Sequence, residues 1–161
     1  MGTSKFIMSA IALACGALAT PTTFAAGADA KELISVVPSE LKWKDAPSIG
    51  PGAQLAVLEG DLKKAEPITF RLKLPPNTTI APHTHPGFER VTVLSGQFHL
   101  GIGKTVDQSK AKAYPAGGAV MIPAGMPMFA FTEGEETVVQ VHGTGPWGVD
   151  YLDPATNPAK K

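Results

Sequence analysis

Two histidines one residue apart, His83 and His85, are followed four positions later by Glu89. In a strand, residues two apart leave the same face, so both imidazoles would point one way. Glu89 opens an alternating run, Glu89-Arg90-Val91-Thr92-Val93, and by parity it shares its face with Val91 and Val93. A carboxylate among valines is costly unless something positive meets it. Two imidazoles and a carboxylate that converge are ligands of the kind that hold a divalent transition metal ion: Fe, Mn, Ni, Zn or Cu. On spacing alone the competing reading is a solvated loop, because Pro82, Pro86 and Gly87 surround the pair.

Other chemistries find little support. The only cysteine, Cys15, lies in the apolar N-terminal stretch, so a processed chain has no disulfide, thiol nucleophile or Cys-ligated zinc. No Ser-His-Asp arrangement or second carboxylate pair offers a metal-free route. Gly103-Lys104-Thr105 matches the end of a phosphate-binding loop, but the earlier glycine of that motif falls at Phe98. His99 alternates against Phe98 and Leu100 and reads as an outer-face residue. Gln140 and His142 share one face of a run whose other face is Val139 and Val141. The valines prefer the core, which turns the polar pair outward; an inward His142 beside the ligands is the alternative. Met121 and Met126 read as packing residues, and Trp43 and Trp147 as core or interface.

The elements that must position these groups are strands. The chain of 161 residues is 43% hydrophobic, enough for one domain with a real core. Lys+Arg and Asp+Glu balance at 14 each, which excludes a basic nucleic-acid footprint. Gly 17 and Pro 15 make up about a fifth of the chain, a composition of turns rather than long helices. Period-two alternation is clearest in Ile68–Leu74, and shorter strand-like runs cover Gln54–Leu58, Glu89–Leu94, Phe98–Ile102, Ala119–Ile122, Met128–Phe131, Thr137–His142 and Val149–Leu152. Asp29–Val37 would form a short helix or an arm.

Lys5, an apolar run from Phe6 to Ala19 and a small-residue stretch ending at Ala28 have the anatomy of a secretory signal peptide. Residues 1–28 are therefore expected to be removed and the protein to be periplasmic or secreted. The apolar run is too short for a membrane span.

The wider spacing narrows the fold. After His83-x-His85 come three residues, Glu89, six residues and Gly96; later come Gly117, five residues, Pro123-Ala124-Gly125, two residues and Met128. The first set resembles motif one of the cupin superfamily without a mismatch. The second is similar to motif two, except that Met128 stands at the usual histidine and Thr132 at a frequent asparagine. The resemblance implies an all-β jelly-roll barrel (a double-stranded β-helix) over 54–152, with an N-terminal arm at 29–53 and a tail at 153–161. It further implies one metal ion in the barrel mouth on His83, His85, Glu89 and, at the fourth position, Met128. The group resembled most is that of small, exported, single-domain bacterial cupins.

Fold alone does not fix the reaction. One expectation is an enzyme of oxygenase, isomerase or lyase type, acting on a small organic molecule near Phe129 or Phe131. A second is a binding protein without turnover, since a thioether at Met128 favours copper, and a third is a degenerate cupin that has lost its metal together with the fourth ligand. Partners are then a small-molecule ligand or substrate and no nucleic acid, with Trp147, Val149 and Tyr151 offering a surface for a homodimer.

Overall fold

The computed structural model describes Met1 and residues 33–160. Cys15 and, Met1 aside, the expected signal segment lie outside the described residues.

Alternation drives the chain into sheets. In β3 (Pro67–Leu74), Ile68, Phe70, Leu72 and Leu74 are buried while Thr69, Arg71 and Lys73 are half-exposed. A strand so divided serves a core on one side and water on the other. It pairs with β2 (Gln54–Glu59) and β10 (Thr137–Thr144), and β10 buries Val139 and Val141 in the same sense. With β1 (Lys44–Asp45), β5 (Glu89–Ser95) and β8 (Ala119–Ile122) they form one sheet, in the order β1-β2-β3-β10-β5-β8. A second sheet has the order β11-β4-β9-β6-β7, built from β4 (Thr79–Thr84), β6 (Gln97–Ile102), β7 (Lys112–Pro115), β9 (Met128–Phe131) and β11 (Asp150–Tyr151). All pairings are antiparallel. From β3 to β6 the chain switches sheet at every step, which wraps the two inner faces around one core. This is the jelly roll that the resemblance implies.

Two glycines carry specific loads. Gly96 joins β5 to β6 at φ +74°, and a Cβ there would lie 2.5 Å from the Glu136 carbonyl oxygen. Gly101 lies beneath the Phe129 ring, where any side chain would collide.

Three strands were not anticipated: β1, β4 and β7. The most informative is β4. Pro82 offers no N–H to a ladder, and the pairing of β4 with β9 shifts register between Ile80 and His83. The shift leaves one extra residue on β4, a bulge that reverses its alternation. Ile80 therefore faces the core, and three residues later so does His83. Elsewhere the departures are small. Leu33–Val37 forms no helix and leads into a 3-10 turn at Pro38–Glu40. Met121 is 59% exposed on β8, so it does not pack in the core as expected.

Candidate metal centre

His83, His85 and Glu89 are all buried, at 3%, 5% and 5% exposure, and all line the cavity between the two sheets. The β4 bulge delivers the histidines, and β5 delivers Glu89 on the face of Val91 and Val93, as its parity required. The Pro123-Ala124-Gly125 turn anchors the end of the His-x-His segment, with Gly125 N–H donating to the His85 carbonyl at 2.9 Å.

Each ring is held by its Nδ1. That of His83 lies 2.7 Å from the Ala81 carbonyl, on the bulge itself, and that of His85 lies 2.6 Å from the Gly148 carbonyl. A carbonyl can only accept, so both Nδ1 atoms carry hydrogen and the lone pair of each neutral ring lies on Nε2. His85 Nε2 in turn stands 3.4 Å from Glu89 Oε2. In that tautomer two acceptors face each other, an arrangement that requires a shared proton or a cation. The other Glu89 oxygen, Oε1, accepts from the Trp147 indole N–H at 3.1 Å. The His83 and His85 rings meet edge to face, with centroids 4.9 Å apart.

The surroundings are apolar: Leu72, Ile80, Leu100, Ile122 and Val141 complete much of the lining. Burial raises the Glu89 pKa, opposed by the His85 ring and by the Trp147 hydrogen bond. Burial lowers that of His83 from 6.5 to about 4, against the Ala81 hydrogen bond, with His85 adding to the fall. His83 thus stays neutral at physiological pH, as a ligand must. Proton competition, expected from free imidazoles near pH ~6.5, reaches His83 only in stronger acid.

This has a stability consequence for metal-free protein. The unfolded chain takes up a proton at His83 below pH 6.5, and the folded chain only near 4. Folded stability from this residue is therefore fully present above 6.5 and lost as pH falls toward 4, by at most about 3 kcal/mol. The raised Glu89 pKa acts in the opposite sense, so the His83 part is read as a difference. In chelator, the stability gap between wild type and His83→Gln should shift against wild type between pH 7 and pH 4. A gap constant across that range refutes the assignment.

The donor set suits a metal. Ligands about 2.1 Å from one ion and at right angles lie about 3 Å apart, close to the His85–Glu89 separation. Among the described residues, no three His, Cys, Asp or Glu side chains are gathered closely enough to hold a metal ion as they stand. Met128 is 2% exposed, faces the same cavity and stands directly across the β4–β9 ladder from His83. Ala130 lines the cavity too, whereas Thr132 is taken up by Pro75 and Thr78, to which its hydroxyl donates and from which it accepts.

Other expectations change. Phe129 and Phe131 do not approach the mouth: Phe131 stacks on His99 at 4.5 Å, and the Phe129 ring covers Gly101. His99 does lie opposite Phe98 and Leu100 but is buried. His142 faces away from the cavity, bonded to Thr69 and Gln140. Trp147 and Val149 line the cavity and Tyr151 packs beside His83, so this segment is part of the site. The contacts of Trp147 and Gly148 are the part of the site that sequence reasoning missed; the only signal was a tryptophan flanked by Gly145-Pro146 and Gly148.

A two-sheet antiparallel barrel with two histidines and a glutamate in its interior is the arrangement of a cupin, and comparison agrees. The pattern describing the Cupin family matches residues 57–145, more than half of the chain, which therefore belongs to that family. No curated protein matches it in sequence. Among solved structures it is similar to the polyketide cyclase RemF from Streptomyces resistomycificus, at 20% identity and TM-score 0.66, over 80% of this chain and 92% of that one. It also resembles an RmlC-like cupin from Shewanella frigidimarina, at 16% identity and TM-score 0.54, covering 68% and 87%. An oxalate oxidase structure matches at 21% identity and TM-score 0.55, covering 77% and 66%. At these identities the likeness is one of fold. No helix among the described residues is long and apolar enough to cross a membrane.

Proposed function

We propose that this cupin is an exported, metal-dependent enzyme in which His83, His85 and Glu89 hold one divalent transition metal ion, with a small organic molecule as substrate. The observation that carries the reading is the confrontation of His85 Nε2 with Glu89 Oε2 in a largely apolar cavity, which a cation between them would satisfy. When bound, such an ion supplies Lewis-acid polarisation or oxygen activation, the basis of oxygenase, isomerase or lyase chemistry. The chain's own groups do the rest. The Ala81 and Gly148 carbonyls hold the imidazoles in the ligating tautomer. The aliphatic lining excludes bulk water and so strengthens every charge interaction inside. With Oε1 engaged by Trp147, Glu89 Oε2 is the carboxylate oxygen left free to bind the ion. Export rests on the Lys5, Phe6–Ala19 and Ala28 pattern of the N-terminus.

A second reading, a copper-binding protein without turnover, is favoured by one observation: the Met128 thioether faces the cavity opposite His83. Metal analysis of protein recovered from its own export route separates the two. About one equivalent of iron or manganese supports the enzyme, copper supports the binding protein, and protein with none contradicts both. Met128→Leu, nearly volume-conserving, should leave Mn(II) or Fe(II) content unchanged under the first reading. Under the second it should weaken Cu(I) by about 10-fold or more.

A further inference from the structure

Beyond β10 the chain crosses the end of the barrel as a strap, residues 145–151, tied down on both flanks. On one side Gly145 N–H donates to the Glu66 carbonyl at 2.9 Å and Trp147 N–H to the Leu62 carbonyl at 2.7 Å, both in the β2–β3 connection. The fit is close, since a Cβ on Gly145 would lie 2.2 Å from the Lys64 carbonyl oxygen. On the other side β11 pairs with β4, setting Asp150 against Thr84 and Tyr151 against His83. The middle of the strap therefore lies over the candidate ligands.

Its side chain there is Trp147, which makes three contacts. The indole stacks on His85, with centroids 5.2 Å apart and planes 19° from parallel. Its edge meets Phe70 at 4.6 Å and 63°, on the floor of the core. Its N–H donates to Glu89 Oε1. The next residue supplies the carbonyl that fixes His85 Nδ1. Two adjacent residues of the strap thus determine which nitrogen of His85 and which oxygen of Glu89 remain free toward the cavity. With Trp147 in place, the cavity is about 30 Å³. A water needs about 10–15 Å³, so the space as it stands holds only a few waters.

We propose that Trp147 is the positioning residue of the metal centre and the closure of its entrance: its N–H reserves Glu89 Oε2 for the ion, its face holds the His85 ring, and the strap must move before anything larger than water reaches the site. The proposal rests on the metal reading above. It also ties that reading to the cavity size, because a small organic substrate fits only when the strap is displaced.

The test compares wild type, Trp147→Phe and Trp147→Ala loaded with Mn(II) or Cu(I). Trp147→Phe keeps a ring on His85 and Phe70 but loses the N–H. Its affinity for Mn(II), which depends on an anionic oxygen, should fall by about 10-fold, with Cu(I) within about twofold and thermal stability little changed. Unchanged Mn(II) affinity, or equal losses for both ions, overturns the positioning role; a merely structural role would move both alike. Closure is read from the rate at which EDTA removes Mn(II). In wild type the chelator cannot reach a closed centre, so the rate should be independent of EDTA concentration; in Trp147→Ala it should rise in proportion to it. A wild-type rate proportional to EDTA overturns closure without any variant. Wild type that takes up neither of these ions nor Fe(II), Ni(II) or Zn(II) overturns the metal reading and this proposal with it, whereas tight uptake indifferent to Trp147 overturns this proposal alone.

Discussion

A chain carrying both His83→Ala and His85→Ala is expected to lose affinity for its metal by at least about a thousandfold and still fold. Filled four-ligand sites in proteins have apparent binding free energies of about 10–16 kcal/mol, so removing two ligands forfeits well over the ~4 kcal/mol that a thousandfold represents. The barrel should survive because neither ring is a main contributor to the core. That role belongs to the alternating rows of β3, β5 and β10. What folding loses is the pair of Nδ1 hydrogen bonds to Ala81 and Gly148, roughly 1 kcal/mol each, offset by no longer burying two polar rings. Far-UV circular dichroism should match wild type, and the melting temperature should fall by only a few degrees. Stoichiometric metal retained by the double variant would place the ligands elsewhere.

The second large effect is expected at Phe70, where the core and the site meet. The residue is fully buried at 0% exposure, and its ring is the one on which the Trp147 edge rests. Phe70→Ala should cost about 3–5 kcal/mol, from lost burial and from a void that the flanking strands cannot close. Phe70→Leu, which fills much of that space, should cost less. Measured well below its melting temperature, Phe70→Ala should also bind Mn(II) more weakly than wild type, because Trp147 loses its floor and with it the alignment of its N–H on Glu89. Urea unfolding gives the first quantity and metal titration the second. A loss under about 1 kcal/mol would mean that the ring is not the packing element its burial implies.

Why Phe70 should matter could be read in the sequence, because Ile68, Phe70, Leu72 and Leu74 alternate with polar residues over a whole strand. Glu89 was legible by the same logic: its parity with Val91 and Val93 holds over an unbroken run, and the carboxylate does face the cavity. His142 was less so, because two valines and two polar residues permit either face. The packing decides it, with Val139 and Val141 in the core and His142 against Thr69 outside. The aromatic pair Phe129 and Phe131 misled for a related reason. In β9 all four residues are buried, so both faces are covered and composition does not distinguish inside from outside.

Cupin membership, the strand-rich class and the choice of His83, His85 and Glu89 as candidate ligands were available from the sequence by itself, since each depends on spacing within short segments where strand geometry converts separation into direction. Tertiary structure alone decided how those residues come to face inward together. The register of β4 against β9 opens a bulge beside Pro82, and that single extra residue puts His83 on the side of Ile80 although their parity differs. Only the folded chain also brings Trp147 to Glu89 and Gly148 to His85, across 58 and 63 residues of sequence. No local pattern encodes such contacts, because they arise from where the strap must run once β10 and β11 lie in opposite sheets.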